Sequence, residues 1–136
     1  MKKRIVGTID AARRAAADRR IRADQAGREY EQFLEQTAVP LLRQVAGVLR
    51  AEGFAFTVFT PGGSVRLMSD RSSDDYIELL LDATHDAPRV VGRTRRARGR
   101  RVLETERSIA DRTPGALTEE DVLEFVAAEL GPYVEK

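Results

Sequence analysis

Catalysis needs a positioned acid, base, nucleophile or metal, and the residues able to supply one are few in this chain. His85 is the only histidine, and there is no cysteine. His85 stands in the run Asp82-Ala83-Thr84-His85-Asp86, which sets two carboxylates beside an imidazole. A metal site would draw on Asp82, His85 and Asp86, and a nucleophilic pair on His85 with Ser72 or Ser73. Neither spacing matches a motif with a mechanism. A lone histidine on a polar turn reads as a solvated side chain. Asp70, Asp74 and Asp75 crowd one loop, but they lack the ligand spacing of an EF-hand. Pro61-Gly62-Gly63-Ser64 is no phosphate loop, and neither GxxxxGK[ST] nor GxGxxG occurs. Without cysteine there is no disulfide framework, thiolate zinc site or iron–sulfur cluster, and no thiol nucleophile. The sequence thus reads as a non-enzymatic protein with no catalytic residue, no metal site and no cofactor.

The most concentrated chemistry is charge. Arg93, Arg95, Arg96, Arg98, Arg100 and Arg101 put six arginines into nine residues. A guanidinium forks onto phosphate or carboxylate with two parallel hydrogen bonds. Six phosphate contacts would give a log–log salt slope of about −5 on duplex DNA. No aromatic residue stands among the arginines to stack on bases. Three destinations compete: an acidic surface of the same protein (residues 70–86 or 119–129, within or between subunits), a nucleic acid or other polyanion, or water alone. The first is favoured.

Counting charge by segment supports that preference. The total is 23 basic against 22 acidic side chains, a net +1. Residues 1–50, 51–88, 89–112 and 113–136 carry +5, −5, +6 and −5 in turn. Arginine outnumbers lysine 20 to 3, which a GC-rich coding sequence explains, but codon usage does not explain the blocks.

The elements that must position these groups follow from periodicity. From Thr8, a fitting N-cap with Asp10 near the helix dipole, helix formers run to about Glu52. Asp10–Arg14, Asp18–Arg22 and Asp24–Arg28 are acid-before-base pairs at i,i+4, each worth about 0.2–0.5 kcal/mol, and they mark a solvated face. A heptad seam faces the other way: Ile9, Ala12, Ala16, Ala23, Ala26, Tyr30 and Phe33, broken at Arg19. This seam is predicted to be a thin arm packed against something, because isolated helices are marginal in water. After Phe33 the apolar positions slip by one residue, to Leu34, Ala38, Leu41, Val45 and Val48. Pro40 lies beside the slip, so a kink or restart is expected there. Gly53 reads as the C-terminal glycine of the helix.

Residues 54–107 alternate as a β-meander. Strands are predicted at Phe54–Thr60, Val65–Ser69, Tyr76–Thr84, Arg89–Thr94 and Arg101–Arg107, with Arg95–Arg100 as a connection. In the third, Ile77, Leu79, Leu81 and Ala83 share one face, while Tyr76, Glu78, Leu80 and Asp82 share the other. Thr118 caps a last helix over 118–130. Leu117 staples onto Val122, and Gly131-Pro132 stops the helix.

The fold class that results is α+β: a long kinked N-terminal helix, a four- to five-stranded antiparallel meander and a C-terminal helix. Residues 1–136 read as a single domain, with 8–52 as helical arm and packing helix. No secretory leader or membrane-spanning run is apparent, which points to the cytoplasm. The expected function is a small homo-oligomeric interaction or adaptor protein, a dimer by preference, with a further protein partner as an option. The alternative is nucleic-acid binding through the Arg93–Arg101 hairpin.

Overall fold

The structure, a computed structural model, describes residues 1–84 and 87–135. One continuous helical rod opens the chain. It comprises α1 (Lys2–Phe33), a π-helical turn (Leu34–Ala38) and α2 (Val39–Ala51). The slip in the apolar seam and the π turn are the same feature. Val39 N–H donates to Leu34 O, five residues back, so the turn holds one extra residue and brings Ala38 and Leu41 onto the buried side with Phe33, whereas Val48 of the shifted seam faces solvent and Leu49 is buried in its place. Phe33 and Ala38, five apart, are both buried. Pro40 has no N–H to donate one turn back, and it sits at the start of α2, where that loss costs least. The expected break is thus absorbed as a wider turn.

The rod also starts earlier than Thr8. Lys2 is already helical, and the Thr8 hydroxyl donates to Arg4 O (2.9 Å) rather than capping a helix start. A threonine can satisfy its hydroxyl this way inside a helix, and nothing in Lys2–Gly7 forbids helical backbone.

Five strands follow in the order β1-β2-β3-β4-β5, each antiparallel to its neighbours. They are β1 (Phe56–Phe59), β2 (Val65–Ser69), β3 (Tyr76–Asp82), β4 (Arg89–Arg98) and β5 (Arg101–Ser108). β4 and β5 run further than their sequence suggests, because Arg98 pairs with Arg101 and leaves only Gly99 and Arg100 to turn the chain. Gly99 makes that tight turn with φ +61°, a region costly for other residues. The register pairs Glu78 with Arg66 on one side and Arg93 on the other, and Arg93 in turn with Glu106.

A short turn (Pro114–Ala116) and α3 (Glu119–Leu130) complete the chain before the Gly131–Tyr133 turn. Thr118 caps α3 through a full capping box: its hydroxyl accepts from Asp121 N–H, and Asp121 accepts from Thr118 N–H. The core lies between one sheet face and the helices. Leu42, Val65, Leu67, Ile77, Leu79, Val90, Val122 and Val126 are fully buried there. Phe125 of α3 comes so close to β4 that a methyl group on Gly92 would overlap its ring. None of the helices among the described residues is long and apolar enough to cross a membrane.

Candidate interaction surfaces

The open face of the sheet carries a lattice of charge built around Glu78. This carboxylate is 3 % exposed and accepts from the Ser64 hydroxyl (2.9 Å), Arg66 Nε (3.1 Å) and Arg66 Nη2 (2.9 Å). Arg93 faces it at 3.6 Å and donates to Glu106 from Nε and Nη2 (3.1 and 3.0 Å), with Glu104 at 3.4 Å. The Glu106 hydrogen bond, chiefly, holds Arg93 above its ordinary pKa, with the surrounding carboxylates adding to it. Arg95 reaches Asp74 (3.6 Å) and Glu104 (4.0 Å). Arg66 also lies over the Tyr76 ring, 4.0 Å from its centre. Arg93 and Arg95 are therefore neutralised inside the chain, by Glu78 and Asp74 from the acidic segment and by Glu104 and Glu106 of β5. Glu104 and Glu106 lie outside both acidic stretches marked in the sequence. Alternation places Glu78 on the polar face of its strand, but only the register reveals the two arginines flanking it.

The rest of the arginine cluster is at the tip of the β4–β5 hairpin. Arg98, Arg100 and Arg101 are exposed there, with no ion pair among the described residues. Arg96 borders a cleft of about 490 Å³ that opens at this end of the sheet, next to Phe54, Arg71, Asp75 and Tyr133. The Tyr133 hydroxyl spans Tyr76 O (2.9 Å) and Arg95 O (2.8 Å), which ties the C-terminal turn to β3 and β4. Burial first, and then the nearby Asp75 carboxylate, push its phenol up to about 12. Asp75 in turn accepts from Ala97 N–H (2.7 Å).

The carboxylates of the β2–β3 loop do not converge. Asp70 takes the Thr57 hydroxyl (2.6 Å) and Arg50 (3.2 Å), and the Thr57 bond chiefly holds its carboxyl below the usual range. Asp74 turns to Arg95 and Asp75 to Ala97. Ser72 Oγ accepts from Asp74 N–H. His85 and Asp86 lie outside the described residues, while the Asp82 carboxylate accepts from Thr84 N–H and Oγ1 (2.9 and 2.6 Å). Among the described residues no three His, Cys, Asp or Glu side chains come together as a metal site would require.

The helical seam divides into two parts. Ala26, Tyr30 and Phe33 are buried in the chain's own core, so they are not free to meet a second subunit. The Tyr30 hydroxyl donates to Gly63 O (2.5 Å), and burial, with Glu78 nearby, raises its pKa well above 10. Glu29 accepts from Gly115 N–H (3.2 Å) and fastens this part of α1 to the connection before α3. Beyond that point the helix stands away from the body as an arm. Every residue from Met1 to Ala15 is exposed; Ile9, Ala12 and Ala23 are exposed and Ala16 is half-buried. Ile5, Ile9 and Ile21 show 56, 43 and 62 % of their surface. Residues 1–25 carry 8 basic and 3 acidic side chains. The arm leaves the body beside the β3–β4 connection, where Arg22 and Gln25 border Pro88 and Arg89. This is the end of β4 opposite the hairpin tip. No family model, curated protein or solved structure matches the chain.

Proposed function

We propose that the chain is a non-enzymatic, self-associating interaction module, acting in the cytoplasm, whose N-terminal arm is the contact element and whose preferred state is a dimer. The observation that supports this reading is the arm itself. A helix of this polarity has little reason to persist alone in water, and its isoleucines lie exposed in continuity with a buried seam. Light scattering across a concentration series tests it. The expected mass is twice the 15.2 kDa chain, with Ile5→Glu/Ile9→Glu shifting it towards the monomer. A monomeric mass at every concentration overturns the reading.

A second reading rests on the hairpin tip, where Arg98, Arg100 and Arg101 are exposed with no acidic partner among the described residues. With Arg93 and Arg95 already paired, four arginines remain for a polyanion, and the expected salt slope on duplex DNA drops to about −3.6. A gel shift lost in Arg98→Ala/Arg100→Ala/Arg101→Ala but kept in Arg93→Ala supports this reading. Absence of a shift at about 50 mM salt removes it.

A further inference from the structure

Resting on the self-association reading, we infer that the arm tip of one subunit docks on the outer face of α3 of a second copy, rather than on that copy's arm. The outer face of α3 has what the arm tip lacks. Asp121 is taken by Thr118 and Arg112, and Glu129 by Arg107. Glu119, Glu120 and Glu124 remain exposed with no ion pair among the described residues, around a Leu123 that shows 40 % of its surface. The arm tip presents Lys2, Lys3 and Arg4 around the exposed Ile5, Val6 and Ile9. Three cations around an apolar ridge thus match three carboxylates around another.

Topology makes the match reachable between copies. The arm from Lys2 to Gln25 is 24 residues, about 36 Å at 1.5 Å per residue, so a straight helix holds its tip far from its own α3. The start of α3 lies beside the arm's root, because Gly115, just before it, is bonded to Glu29. Two copies related by a two-fold axis across their arms run those arms antiparallel, and each tip then arrives at the other's α3. Such a contact is closed and occurs twice, as a symmetric dimer requires. In that antiparallel arrangement Arg13 and Arg14 of the two arms meet near the axis, so like charge opposes a close arm-to-arm contact there and leaves the tips as the favourable contact.

The chain has no native cysteine, so single cysteines report contacts cleanly. Ile9→Cys and Leu123→Cys variants, mixed and mildly oxidised, are expected to form a mixed disulfide faster than Ile9→Cys links to itself. Glu120→Lys/Glu124→Lys should raise the dimer dissociation constant about tenfold or more, and Lys2→Glu/Lys3→Glu/Arg4→Glu in the same chain should restore it. A dimer by light scattering that links only through Ile9→Cys to itself, or that ignores the α3 reversal, overturns the docking site and leaves self-association standing. A monomeric wild-type mass overturns both.

Discussion

If the arm is the contact element of a dimer as proposed, diluting the protein until the dimer dissociates should unwind part of the arm, by an amount set by the fold. The helix is nucleated inside the core at Ala26, Tyr30 and Phe33, so the arm carries no nucleation cost and frays from the end away from the core. Propagation constants for good helix formers are about 1–1.6 near 0 °C and fall on warming. At a value of about 1 every arm length is equally populated, and the 24 residues from Lys2 to Gln25 average about 12 helical ones. The α1–α2 rod and α3 hold 62 helical residues in all. Helical circular dichroism should therefore fall by about one fifth between the assembled and the dissociated protein, and further on warming. The assay is circular dichroism against concentration, read beside light scattering on the same samples. Ile5→Glu/Ile9→Glu should show the reduced signal at all concentrations. A dissociated protein that keeps its helicity to within about 5 % would refute the reasoning, because the arm would then need no partner to stay folded.

Three further outcomes test the body of the fold. Glu78→Gln keeps the shape but removes the charge that Arg66 and Arg93 share, and urea unfolding should show a loss of about 2 kcal/mol; a loss under about 0.5 kcal/mol would make the cluster ordinary surface charge. Gly92→Ala should cost about 1–3 kcal/mol by overpacking against Phe125, with part of the loss recovered by Phe125→Leu, again read from urea midpoints. Tyr133 has its pKa raised from 10 to about 12 in the folded protein, so its neutral form is bound more tightly there than in the unfolded chain. Its contribution is complete below pH 10 and is lost as pH rises towards about 12, so thermal midpoints should fall across that window, and less steeply in Tyr133→Phe.

The parts of this architecture that sequence displays are those governed by local periodicity. The slip after Phe33 is visible as a change of one residue in the apolar repeat, and one extra residue is what the π turn adds. Thr118 to Val122 spells out a capping box, and the structure closes it with Asp121 in the place usually held by glutamate. What periodicity does not carry is the partner across a strand. Arg93 meets Glu78 and Glu106, 15 and 13 residues away, only because β4 runs on to a two-residue turn at Gly99. A shorter hairpin with Arg95–Arg100 as a loop leaves those arginines looking free. Likewise Tyr30 and Phe33 fit a heptad seam as well as a core face, since both are stripes at helical spacing. The choice depends on where the sheet lies, which nothing within α1 encodes.

With Arg66, Arg93 and Arg95 paired through the register, three groups of charge without an ion pair among the described residues stand apart: the arm tip, the hairpin tip and the start of α3. The basic arm leaves beside the β3–β4 connection and the basic hairpin tip projects from the opposite end of β4, with the carboxylates of α3 starting near the arm's root. A net charge of +1 thus includes locally basic and locally acidic surfaces that largely cancel in the sum. That arrangement reconciles the two readings of function. Association through the arms, as proposed, would join two bodies at their arm-bearing ends and use none of Arg98, Arg100 or Arg101. The two hairpin tips would then stand at the ends away from the arms. Any polyanion long enough to reach both would meet two linked sites, and linkage raises apparent affinity without a new contact. The two proposals, self-association through the arm and weak polyanion contact at the tips, are thus compatible in one particle, in which the first would set the spacing for the second.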